Sequence, residues 1–237
     1  MKNLVTVLLI GLISLTTTAQ KVIEKNIDFS NQQVILDLRF AYHMDIQTWD
    51  KNEIYFKADL RTKEGKYLDL YELDIDEGAN TIAITSNAQP IFEAFHEEWN
   101  ANNPDKKKRY YNSGDLYEFN YVVYIPKNAK FELSSINGSL TSEIIEGDFK
   151  AELINGDIEI KSYAGDLDLR TINGAIDLKM LNADLVAETI HGDIYADEQL
   201  KFKSENRHVG QKIEGSSGKG SNRLRLNTIN GNMYLRL

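Results

Sequence analysis

From Gly138 to Gly192 the chain repeats every nine residues. Gly138, Gly147, Gly156, Gly165, Gly174 and Gly192 share one phase, and Ala183 fills the remaining slot. An apolar residue stands two positions before each (Ile136, Ile145, Ile154, Tyr163, Ile172, Leu181, Ile190), and another stands two after (Leu140, Phe149, Ile158, Leu167, Ile176, Leu185, Ile194). A short fixed period of this kind belongs to stacked architectures, in which a unit buries its apolar face only against its neighbours. Each unit opens on turn residues such as Ile-Asn-Gly-Asp. Glycine there tolerates positive φ, and Asn and Asp bond to nearby backbone. A strand with period-two alternation follows: Ile158 and Ile160 point one way, Glu159 and Lys161 the other.

Nine residues do not close around a core, so two units are expected per coil. The Ile-Asn-Gly triplet itself recurs at every second unit (136–138, 154–156, 172–174), with Ile190-His191-Gly192 as a variant. An eighteen-residue coil predicts a stacked asparagine ladder of Asn137, Asn155 and Asn173. It also predicts complementary outward charges: Glu152, Arg170 and Glu188 in one row, Lys150 facing Asp168, Glu143 facing Lys161, and Lys179 facing Asp197. After Ile194 the phase falters. Ile229-Asn230-Gly231-Asn232-Met233 reads as a last copy, displaced by a loop inserted at one edge.

The expected fold is therefore all-β, a β-solenoid or β-helix-like stack with about two nine-residue units per coil and a short helical insertion near 91–101. Residues 20–131 read as irregular N-terminal β coils interrupted by an insertion at 88–115. Residues 132–237 read as regular repeats with an irregular C-terminal cap, continuous with the first part as one domain. Residues 1–19 have the form of a secretory signal: Lys2, an apolar run from Leu4 to Leu15, then small residues up to Ala19. No other stretch is long and apolar enough to span a bilayer. The chain has no cysteine, hence neither disulfides nor a lipid-anchor cysteine. Its net charge of −9 is uneven. Residues 142–194 carry twelve acidic and four basic side chains, whereas 199–237 carry eight basic and two acidic. That asymmetry predicts a negative body with one positive end.

Aromatic residues concentrate in the insertion: Phe92, Phe95, Trp99, Tyr110 and Tyr111. Two readings stand side by side. In one they pack down and close the end of the core; in the other they contact a ligand or partner. Other chemistries lack their residues. A calcium β-roll needs two glycines and more oxygens per turn than one Gly and one Asp supply. Glycoside hydrolysis needs a carboxylate pair across a cleft, and none stands out. His43, His96, His191 and His208 are too dispersed to hold a metal. There is no nucleophile elbow and no phosphate loop, and an acidic chain is a poor partner for nucleic acid.

The Ile-Asn-Gly-Asp-Ile units, the lead-in Tyr124-Ile125-Pro126-Lys127-Asn128-Ala129 and the earlier Asp45-Ile46-Gln47-Thr48-Trp49-Asp50 together resemble the DUF4097 adhesin family. That family is related to the adhesin head domain named for its Gly-Ile-Asn motif. The resemblance spans roughly 30–237. It implies a β-helix-like structure on exported bacterial proteins of the periplasm, surface or medium, and it implies no catalytic residues and no cofactor. The expected function is a non-enzymatic binding module for an envelope or extracellular glycan or protein. The alternatives are a structural, stress-associated envelope protein and a carbohydrate-active enzyme on the same scaffold.

Overall fold

The computed structural model describes residues 20–104, 116–206, 209–218 and 222–237; the signal-sequence assignment to 1–19 lies outside them. A nine-stranded and an eleven-stranded sheet share one apolar core. The chain winds between them in parallel coils. In the eleven-stranded sheet Phe131 pairs with Phe149 and Phe149 with Leu167. In the nine-stranded sheet Leu140 pairs with Ile158 and Ile158 with Ile176. Every step is eighteen residues, so two nine-residue units make one coil. Inward residues such as Ile158, Leu169 and Ile176 are fully buried. Their outward neighbours carry the charge.

Stack order and chain order part company at both ends. Leu224 pairs with Leu167 on one side and with Leu185 on the other. Met233 likewise pairs with Ile176 and with Ile194. The coil formed by Asn222–Thr228 and Met233–Arg236 is therefore threaded between two coils that precede it in sequence. At the opposite end, Gln33–Asp37 and His43–Trp49 lie between later strands. Thr81–Asn87 and Tyr117–Pro126 flank them on one side, and Ala129–Asn137 and Ser139–Ser142 on the other.

This threading corrects three expectations. The last Ile-Asn-Gly copy is an interior coil rather than a displaced terminal one. Arg170 lies opposite Asn227 instead of Glu188, and Lys179 lies opposite Arg236 instead of Asp197. Two arginines of the basic tail, Arg223 and Arg225, lie inside the stack among Asp148, Asp166, Asp168 and Asp184 rather than at its end, where Lys203 and Lys212 stand. Stacking in chain order would set Asp166 beside Asp184, a like-charge neighbour pair that costs stability. Arg223 separates them and bonds Asp166. The pairs Lys150 with Asp168 and Lys161 with Glu143 stand as expected.

The turn columns are equally regular. The asparagine ladder runs through amide hydrogen bonds, from Asn155 to Asn137 at 3.0 Å and from Asn173 to Asn155 at 2.8 Å. The threaded coil adds its next rung, Asn230 to Asn173 at 2.8 Å. Asn173 both donates and accepts, so Asn173→Ala removes two rungs. At about 0.5–1.5 kcal/mol for a typical hydrogen bond, and less for exposed ones, it is expected to cost about 1 kcal/mol in urea unfolding. A loss of nothing would show that water replaces the ladder freely. The glycines serve two purposes. Gly165 has φ +135°, as turn chemistry predicts. Gly174 does not need positive φ; it is required because a Cβ there would lie 2.0 Å from the Gly156 carbonyl oxygen.

Antiparallel strands cover the ends of the stack. Glu53–Thr62 pairs with Tyr117–Pro126, and Gln20–Asp28 pairs with Glu53–Thr62. Glu72–Glu77 covers Thr81–Asn87 and presents Glu72, Asp74, Asp76 and Glu77, which discourage further strand addition. Gln211–Ser217 covers Ala183–Thr189 at the other end, followed by Lys203–Asn206. The helix α1 (Gln89–Asn102) occupies the expected insertion, with a proline in its first turn, where no backbone donor is needed.

Candidate functional site, the outer face of the eleven-stranded sheet

The apolar residues that stand two positions before each repeat glycine do not share one environment. Ile145 and Tyr163, before the alternate glycines, are buried at 0% and 2% exposure. Ile154, Ile172 and Ile190 are 41%, 39% and 44% exposed. The two-unit coil places alternate turns on opposite corners of the stack, although Leu181, in the phase of Ile145 and Tyr163, is 44% exposed. With Ile136 and the threaded Ile229, Ile154, Ile172 and Ile190 form a continuous apolar column on the surface. Of these, Ile136, Ile154, Ile172 and Ile229, together with Ser134, Glu152, Arg170 and Asn227, bound a groove of about 520 Å³ that crosses successive coils.

A charged row runs beside the column. Arg170 donates to Asp168 through Nε and Nη2, both at 2.9 Å, and lies 3.7 Å from Glu152. Lys150 reaches Glu152 at 3.1 Å and Glu132 at 3.7 Å. These exposed pairs add little stability singly, but they hold side chains in fixed positions beside the groove. Two rows further out, burial pushes the Asp166 carboxyl up. The hydrogen bonds from the Arg223 guanidinium and backbone N–H, with the Arg223 charge, outweigh that burial and hold the group below its ordinary range.

A carboxylate with a depressed folded pKa contributes stability above the ordinary Asp value near ~4, and that contribution is lost as pH falls through the folded value. Asp166→Asn is therefore expected to lower the urea midpoint at pH 7, with the gap to the unaltered protein closing as pH falls below about 4. A gap independent of pH would overturn this role for the charge.

The aromatic residues singled out in the insertion are dispersed in the structure. Phe95 is buried and meets the Tyr67 ring edge-on at 4.9 Å. Phe92 packs between Phe40 and Tyr117, at 4.8 and 4.9 Å. Both close the end of the core. Trp99 lines a cleft of about 220 Å³ with Lys66, Glu98 and Leu116, and Lys66 bonds Glu98 at 2.5 Å. Tyr110 and Tyr111 lie outside the described residues.

Sequence reasoning did not single out two other aromatic groups. On the outer face of the nine-stranded sheet Trp49 stands 5.1 Å from Tyr124 and 6.4 Å from Tyr55, with Lys51 above the indole at 4.2 Å. Tyr195 stacks on Tyr234 at 5.4 Å. Tyr124 is distant in sequence from Trp49 and Tyr55, as Tyr234 is from Tyr195, and strand pairing brings them together. The isoleucine column did carry a signal, an identical residue at each eighteenth position, but a repeated isoleucine also fits a core. Among the described residues no group of three or more His, Asp or Glu side chains is placed to hold a metal ion. Among them, too, no helix is long and apolar enough to cross a membrane.

The family model described as Toastrack DUF4097 matches residues 112–236. A crystal structure from Clostridium sporogenes, described as a "putative cell adhesion protein", superposes with a TM-score of 0.54 at 12% identity, covering 92% of this chain and 99% of its own. A "putative adhesin" from Parabacteroides distasonis gives 0.34 at 12% identity, over 91% and 70%. The first of these shares the fold. No curated protein matches the chain.

Proposed function

From the premise that this chain belongs to the Toastrack DUF4097 family, we propose that it is an exported, non-enzymatic binding module of the bacterial envelope or surface. Its contact surface is the isoleucine groove, and its partner is an envelope or extracellular polymer or protein. One observation carries this reading: Ile154, Ile172 and Ile190 stay about two-fifths exposed, in one column with the partly buried Ile136 and Ile229, where a polar residue would fit the pleat equally well. A contiguous apolar strip rimmed by fixed charges is the usual form of an interaction surface. The adhesion-related description of the Clostridium sporogenes structure agrees with it. The carboxylates lining the groove are in ion pairs, Asp37 with Arg39 and Glu152 with Lys150 and Arg170, which supports binding over hydrolysis by a carboxylate pair. The signal-like segment at 1–19 supports export, and the intact mass of the exported protein tests it: retention of residues 1–19 would refute cleavage.

The test of the contact surface is capture of residues 20–237 by peptidoglycan, lipopolysaccharide, glycans and matrix proteins, alongside Ile154→Asp/Ile172→Asp. Both side chains are already partly in water, so the variant should fold. A captured ligand is expected to be held at least tenfold more weakly. Capture unaffected by the double substitution would exclude the groove.

A further inference from the structure

Glu152, Arg170, Asn227, Glu188 and Lys212 stand side by side on five consecutive strands of the eleven-stranded sheet. Their charges read minus, plus, neutral, minus, plus. Reversing the row about Asn227 places every charge opposite its contrary. We propose that the partner of this face is a second copy of the same chain, docked about a two-fold axis that passes through Asn227 and runs parallel to the strands. This deepens the binding reading of the groove and rests on it.

Such an axis lies in the plane of contact, inverts the order of the strands and keeps each column facing itself. Glu152 then meets Lys212 of the second copy, and Arg170 meets Glu188 of the second copy. Asn227 falls on the axis, where any charge would face its own like. A neutral amide avoids this, since it donates and accepts at once. In the adjacent column Ile172 faces Ile190 of the second copy, and Ile229 faces itself. The interface thus has an apolar strip with one self-complementary charged column beside it, as an isologous contact requires. A foreign polymer imposes no such reversal. At about 4.8 Å per strand the five positions span about 19 Å, and the alternation sets the register as well as the attraction. Arg225 and Arg223, two and four positions before Asn227 on the same strand, also fall on the axis and face their own copies, and in the Arg223 column Asp166 faces Asp184 of the second copy; the complementarity is confined to the Asn227 column and the isoleucines beside it.

The experiment is sedimentation equilibrium of residues 20–237 across protein and salt concentrations. A monomer–dimer equilibrium that weakens with added salt is expected. Ile172→Asp is expected to give monomer. Glu152→Lys and Lys212→Glu are each expected to weaken the dimer about tenfold, and the double variant to restore it. Within one chain these two residues are separated by three intervening strands, so the rescue has to come from contact between chains. Arg225→Ala is expected to leave the dimer as tight or tighter. Thermal melts confirm that each variant is folded.

A monomer at every concentration overturns the proposal, as does a dimer without charge-swap rescue. If the chain stays monomeric while Ile172→Asp still abolishes capture of an envelope ligand, self-association fails and the binding reading stands. If Ile172→Asp alters neither dimer nor capture, both fall.

Discussion

Gly174→Ala is expected to lower the melting temperature by roughly 6–12 °C, the equivalent of about 3 kcal/mol at about 2–4 °C per kcal/mol for a chain of this size. The added Cβ would meet the Gly156 carbonyl oxygen at 2.0 Å and its carbon at 2.6 Å. Both atoms are backbone in the turn between Ile145–Asn155 and Ile158–Ile160, where the Gly156 N–H donates to the Asn173 carbonyl and its own carbonyl accepts from the Thr171 hydroxyl, so no rotamer change relieves the contact. The column continues above it, with Gly231 against Gly174 and Gly192 against Gly231 at 1.9 Å. Any shift that admits the methyl group must therefore propagate through several turns. The chain holds its own control. Ala183 occupies the one alanine slot of the repeat, and its strand neighbour there is Asn222 rather than a glycine. Ala183→Gly is accordingly expected to cost only about 0.5–1 kcal/mol, the ordinary loss for glycine in a strand, since the residue is buried but meets no glycine column. Differential scanning calorimetry of the two variants decides the matter; equal melting temperatures would show that the turns shift outward at no cost.

Removing residues 222–237 is expected to abolish cooperative folding. Leu224, Leu226, Met233 and Leu235 are all buried at 2% exposure or less. At about 1.5–3 kcal/mol each their burial contributes about 6–12 kcal/mol, comparable with the whole stability of a typical domain. Because this coil is interior, its loss also leaves Leu167–Asn173 and Ala183–Thr189 without their shared neighbour. If those strands closed on each other, Asp166 would meet Asp184, and Asn173 would meet His191. Removing Gln20–Asp28, an edge strand paired on one side only, is expected to lower the melting temperature but leave a single transition. Circular dichroism with urea titration compares the two. A cooperative transition in the chain lacking 222–237, close to that of the intact protein, would refute the interior role.

The coil itself was legible because a nine-residue period states which residues face inward, and the returning Ile-Asn-Gly triplet states that two units make a turn. Which coil lies beside which was not legible. A period is silent on order, and strand pairs eighteen, thirty-nine and fifty-seven residues apart satisfy the same inward pattern. The clues were Asn230, which fits the asparagine ladder better than His191, and Arg223 and Arg225, which answer a run of aspartates. Both were visible, but as isolated residues. The candidate surface was hidden for a related reason. Ile154 and Ile145 hold the same position relative to a glycine, and only the corner on which each turn falls makes one a surface residue and the other core. Phe92 and Phe95 were open to two readings; both pack on the core, against Phe40, Tyr117 and Tyr67, and Phe92 keeps part of its surface exposed.

Chain order and stack order agree without interruption only between Ala129 and Lys179. Solenoids ordinarily lengthen by duplicating a unit anywhere along their length. In this molecule a unit added beyond Lys179 or before Ala129 would have to separate a coil from the strand threaded beside it. Growth by duplication is thus confined to the middle, where an eighteen-residue copy adds one more Asn, one more Gly and one more Ile to columns already in register. The two ends behave as fixed fittings, and the span between them is the part whose length evolution or design is free to change.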